Sequence, residues 1–106
     1  MDKSKLQEKV ESFVAKCQAL IDAEYSKNFP RSEIPQLSIN LGRRYFKVVQ
    51  RKGYYDEIVF AFVDMTNGNV LKPASWKAPM KCAHGNVFDE HNGTKNMTWL
   101  GPDYLR

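Results

Sequence analysis

Cysteine is scarce in this chain: Cys17 and Cys82 are the only two in 106 residues. Two thiols make no disulfide framework, and a reducing compartment suits them. No run of about 18 apolar residues occurs, so no membrane-spanning helix is expected. The segment MDKSKLQEKVESF lacks both an uninterrupted apolar stretch and a small-residue cleavage site. A secretory signal is therefore not expected, and the cytoplasm is the expected location. Glycine loops of the Walker or dinucleotide type are missing, as are zinc-finger spacing, a helix-turn-helix and an aromatic RNA-binding signature. Internal repeats and low-complexity tracts are missing too. These absences exclude the common nucleotide-hydrolysing and sequence-reading folds.

What is present fits one globular domain over residues 1–106. Apolar residues make up 42% and charged residues 26%, ordinary values for a folded chain. The length leaves room for one helix packed on one small sheet.

The net charge is +4, but it is unevenly spread. Residues 1–53 hold 11 Lys/Arg against 6 Asp/Glu, and residues 54–106 hold 5 against 6. The excess gathers in Arg43, Arg44, Lys47, Arg51 and Lys52, a block without an acid.

Residues 4–25 predict an amphipathic helix. Leu6, Val10, Phe13, Val14, Cys17, Leu20, Ile21 and Tyr25 recur at helical spacing. Ser4 followed by Gln7 has the form of a capping box, and Pro30 stops the helix after Asn28-Phe29. Residues 30–40 read as a connection stiffened by Pro30 and Pro35, with Ile34, Leu37 and Ile39 as apolar pins.

Residues 41–51 predict a strand with Phe46 and Val48 on one face. Arg43, Tyr45, Lys47, Val49 and Arg51 lie on the other. Gly53-Tyr54-Tyr55-Asp56 turns the chain into residues 58–64, apolar until Asp64 and so a covered central strand. There, alternation sets Ile58, Phe60 and Phe62 against Val59, Ala61 and Val63. Asn67-Gly68 predicts a tight hairpin, and residues 70–75 return as a strand that Pro73 confines to an edge or a bulge. Beyond Trp76 periodicity fails. The expected fold is α+β: an N-terminal helix on an antiparallel meander of about three strands, with an irregular C-terminal tail. Val87, Phe88, Met97, Trp99, Leu100, Tyr104 and Leu105 are apolar enough to draw that tail back over the sheet.

The functional lead is cations interleaved with aromatics. Arg43, Tyr45, Lys47 and Arg51 share a strand, Tyr54 and Tyr55 follow, and Lys72, Trp76, Lys77 and Lys81 come from a neighbouring strand and its exit loop. Cations neutralise phosphates and aromatics stack on unpaired bases, so such a face makes a single-strand platform. The plainer reading is a solubilising sheet face over partly buried aromatics.

Cys82, His84, Asp89 and His91 form a weak metal set, since structural zinc wants two closely spaced ligand pairs. Turn chemistry explains the same segment more simply, and no metal or cofactor is expected. Catalysis lacks support. Cys82 and His84 have no third orienting group in view, and the adjacent carboxylates of Asp56-Glu57 and Asp89-Glu90 diverge on an extended chain.

The words FVDMTNGNVLKPASWKAPMK and GNVFDE, with a terminal YLR, resemble a group of small bacteriophage-encoded proteins. Those share a TGDV-like turn followed by a Lys-Pro/Ala-Ala-Ser-Trp-Lys-Ala-Pro segment. The resemblance implies a small phage accessory protein acting in the cytoplasm of an infected host, and it brings no catalytic residue. The expected function is non-enzymatic binding of a polyanion, nucleic acid above all. The alternatives are a module docking on a host or viral protein, such as an inhibitor, or a sponge for a small ligand.

Overall fold

The N-terminal apolar stripe folds as one long helix, α1 (Lys3–Asn28). The computed structural model of the protein describes residues 3–52, 56–99 and 101–102. Leu6, Val10, Phe13, Cys17, Ile21 and Tyr25 are buried along one side of α1, and Val14 packs beside them. Burying a side chain such as Phe13 or Ile21 contributes roughly 1.5–3 kcal/mol. The described helix begins at Lys3, beside the start expected near Ser4, and the Gln7 amide reaches forward to Glu11 at 3.5 Å. The helix stops at Asn28, ahead of Pro30, as its sequence dictates.

Against α1 lies an antiparallel sheet of five strands in the order β1-β2-β3-β4-β5. They are β1 (Gln36–Leu41), β2 (Tyr45–Lys52), β3 (Asp56–Asp64), β4 (Asn69–Pro73) and β5 (Pro79–Asn86). A short ribbon of β6 (Met97–Thr98) and β7 (Gly101–Pro102) follows. The fold is α+β, with a helix on a meander. The core joins the α1 stripe to Phe46, Val48, Phe60, Ala61, Val63 and Val70, and the tail adds Val87 and Met97.

Two strands exceed the three expected. Residues 30–40 hold β1, whose Leu37 and Ile39 pack on the core while Gln36, Ser38 and Asn40 face water. Part of the tail is β5, recruited by main-chain pairing with β4 rather than by an apolar pattern. The strand expected over residues 41–51 is divided. Gly42, Arg43 and Arg44 form the β1–β2 turn, closed by the Gly42 amide on the Tyr45 carbonyl at 3.0 Å.

The expected faces of β3 are also revised. Val48 pairs with Ala61 but Val49 pairs with Val59, so the register skips Phe60. This bulge turns Phe60 to the helix side with Ala61 and Val63, and leaves Phe62 on the opposite face.

The β3–β4 connection is wider than a two-residue turn. Asp64 accepts from the Thr66 amide at 2.8 Å and its hydroxyl at 2.6 Å, and its carbonyl takes the Gly68 amide at 2.8 Å. Only Gly68 of the Asn67-Gly68 pair has positive φ, 80°. Pro73 sits where β4 shifts register, the bulge its chemistry requires. The tail folds back on the helix: Trp99 meets Tyr25 edge-on at 5.9 Å and Phe29 at 5.9 Å. Tyr54, Tyr55, Leu100, Tyr104 and Leu105, and the turn expected at residues 53–56 apart from the first residue of β3, lie outside the described residues.

Candidate nucleic-acid interface

Strand alternation places Tyr45 and Lys47 on the face of β2 opposite Phe46 and Val48, away from α1. Phe62 of β3 stands opposite Lys47 in register and meets the Tyr45 ring edge-on, 5.7 Å between centroids. Val49, Phe62 and Leu71 are buried without belonging to the helix-side core. This second face therefore has an apolar floor of its own.

The loop joining β4 to β5 folds back over that floor. The Ala74 and Ser75 amides both donate to the Ala78 carbonyl at 3.0 Å, and the Ser75 hydroxyl accepts from Lys77 and Ala78. These bonds fix a tight lobe with Trp76 at its tip. The Lys47 ammonium lies 4.4 Å from the Trp76 ring centroid, within range for a cation–π contact. Trp76 keeps 44% of its surface exposed. It is held at one side and open at the other.

Beside this pair opens a cleft of ≈ 270 Å³ lined by Arg43, Arg44, Lys47 and Lys77, with Tyr45 and Phe62 as aromatic wall. Asn40 and Leu41, at the end of β1, form the far rim. Among the described residues no carboxylate lines the cleft. None among the described residues forms an ion pair with any of the four cations. Four uncompensated positive charges around a concave aromatic surface attract and retain anions.

The structure gathers only part of the expected set. Arg43, Tyr45, Lys47, Trp76 and Lys77 come together. Arg51 does not join them: its guanidinium pairs with Glu57 (Nε to Oε1 2.9 Å) at the other end of β2. Lys72 on β4 is half-buried and Lys81 on β5 is exposed, and neither lines the cleft. Arg44, Asn40, Leu41 and Phe62 join the site. Arg44 was legible in the basic block. Phe62 was hidden by the β3 bulge, and Asn40 and Leu41 by the unrecognised β1.

The Cys82–His91 segment organises itself around a carboxylate. Asp89 accepts from the amides of His91 and Gly93 at 2.9 Å and of Asn86 at 3.3 Å. Partial desolvation pushes its carboxyl up. The amides of Gly93, Asn86 and His91 and the nearby His91 charge together outweigh that and hold it below the usual range. His84 is buried and Cys82 exposed. Among the described residues no three His, Cys, Asp or Glu side chains gather as a metal site. No described helix is long and apolar enough to cross a membrane.

A family model matches residues 1–105. The chain belongs to DUF7717, a family of unknown function. Neither a curated protein nor a solved structure matches it.

Proposed function

We propose that this chain is a non-enzymatic binding module for a polyanion, and that the polyanion is nucleic acid with unpaired bases. One observation carries the reading: Arg43, Arg44, Lys47 and Lys77 converge on a cleft that no described carboxylate lines, beside the half-exposed Trp76. The cations take phosphates and Trp76 offers a face for a base. Stacking of this kind contributes about 1–3 kcal/mol per base. Arg51, Lys72 and Lys81 are left as peripheral charges. The sequence resemblance to phage-encoded proteins supports a setting in the cytoplasm of an infected bacterium.

Fluorescence anisotropy with single-stranded DNA, single-stranded RNA and duplex DNA, at low and higher salt, tests the proposal. Binding is expected at low salt, weakening as salt rises. Arg43→Ala should weaken it and lower the logarithmic salt slope by about 0.7 for a single strand. Trp76→Ala should reduce the preference for single strands. Absence of binding at low salt, or binding untouched by both substitutions, overturns the reading.

A second reading rests on Leu41, a large apolar side chain left 70% exposed at the rim of the cleft. It suits docking on an acidic host or viral protein, and a nuclease-resistant complex from host lysate would favour it.

A further inference from the structure

The two margins of the sheet, β1 and β5, are guarded differently. An edge strand presents unpaired amides and carbonyls, and proteins blunt such edges with lysine, proline or bulges. Strand β5 begins at Pro79, carries Lys81 and shifts register against β4. Strand β1 reads QLSINL, with no charge, proline or glycine, and pairs with β2 without interruption. It has none of the usual protections.

The hydrogen bonds show which groups face outward. The Gly42 amide donates inward to Tyr45. Main-chain groups alternate along an antiparallel strand, so residues 36, 38 and 40 face β2 and residues 37, 39 and 41 face away. The Leu37 amide is already satisfied: it donates to Gln18 Oε1 of α1 at 2.8 Å, and Gln18 Nε2 donates to the Pro35 carbonyl at 2.9 Å. Among the described residues no side chain does the same for Ile39 or Leu41. The open amides of the edge are therefore those of Ile39 and Leu41.

We propose that this edge pairs with β1 of a second copy of the chain, antiparallel about a two-fold axis at Asn40. In that register Ile39 exchanges both main-chain bonds with the partner's Leu41, and Leu41 does so with the partner's Ile39. The amides of Ile39 and Leu41 are both used, with their carbonyls, and the bond from Leu37 to Gln18 is left undisturbed. The match is self-complementary, which is why the occupant is a second copy. The strand itself is uncharged, so it adds nothing to the repulsion between the two basic clefts, which salt screens. The Leu41 side chain, 70% exposed in the isolated chain, gains a cross-strand neighbour in the partner's Ile39. Edge pairing about a perpendicular two-fold joins the two sheets into one and turns both second faces the same way. Asn40 lines the basic cleft, so the two clefts adjoin at the axis. The dimer rests on main-chain geometry and stands whether or not the cleft binds nucleic acid.

Sedimentation velocity of the full chain without ligand, from low micromolar to near-millimolar, tests this. The wild type is expected to pass from monomer to dimer. Leu41→Pro deletes an outward amide at an exposed position and leaves the bonds to β2 intact. It should be monomeric throughout, with unchanged circular dichroism. Asn40→Lys sets two ammonium groups face to face at the axis, beside the cations of both clefts, and should weaken association about tenfold, with recovery in salt. A wild type that stays monomeric over the whole range overturns the proposal, as does a Leu41→Pro dimer as strong as the wild type. Should Leu41→Pro fail to fold, Asn40→Lys decides: self-association equal to the wild type overturns it.

Discussion

The Lys47 ammonium lies 4.4 Å from the centre of the Trp76 ring, joining the middle of β2 to the tip of the β4–β5 loop. The contact holds the lobe against the sheet while half of the indole remains in water. A double-mutant cycle with Lys47→Met and Trp76→Leu, followed by urea unfolding, should give a coupling of about 0.5–1 kcal/mol. A coupling of zero would mean that the lobe is held by its own turn alone.

The same pair makes Trp76 a reporter. In a Trp99→Phe background, its fluorescence should respond to an unpaired oligonucleotide that draws Lys47 towards phosphate and offers a base to the ring. Heparin, which supplies the anion without bases, should change it less. Equal responses would assign the cleft to polyanions at large.

Gly93 tolerates no side chain. Its φ is 79°, and a β-carbon there would stand 2.9 Å from Val70 Cγ2 and 3.2 Å from Phe13 Cδ1. Gly93→Ala combines left-handed backbone strain with overpacking and should cost about 2–4 kcal/mol. Thermal unfolding would show this as a clear drop in midpoint, and an unchanged midpoint would contradict the packing described.

The two thiols should differ sharply. Cys17 is enclosed in the core, and burial pushes its pKa up to about 12, so almost no thiolate forms at neutral pH. Cys82 is exposed on β5. A thiol reagent at pH 8 should label Cys82 at once and Cys17 only on unfolding. Comparable native rates at both positions would show that α1 lifts readily from the sheet.

Asp89 introduces an acid sensitivity. Its folded pKa lies below the ordinary aspartate value, about 3.9 in an unfolded chain. The carboxylate thus stabilises the fold above that pH, and its contribution fades as pH falls through the lower folded value. Asp89→Asn should be less stable than the wild type at pH 7, with the gap closing below about pH 4. A gap that stays constant with pH would remove Asp89 as its source.

Much of the fold was legible because its signals are local. The α1 stripe, the stop before Pro30 and the bulge at Pro73 each follow from spacing or from one residue's geometry. Strand β1 was legible in principle, since Leu37 and Ile39 alternate with Gln36, Ser38 and Asn40, but the flanking prolines made it read as a connection. Strand β5 could not be read at all. Its side chains follow no period, and the open main chain of β4 recruits it.

The sequence by itself determined the helix, the covered strands and the supply of cations and aromatics, because each depends on neighbours within a few residues. Only the tertiary structure decided which of these share a surface. A single skipped residue, Phe60, breaks the alternation of β3: it joins Ala61 and Val63 in the core and parts from Phe62, which faces the basic side. The lobe of the β4–β5 loop carries Trp76 back beneath Lys47, 29 positions earlier in the chain. Glu57 draws Arg51 out of the group through an ion pair. Bulges, loop closure and pair formation are settled by the competition of contacts distant in sequence, and spacing carries no record of the outcome.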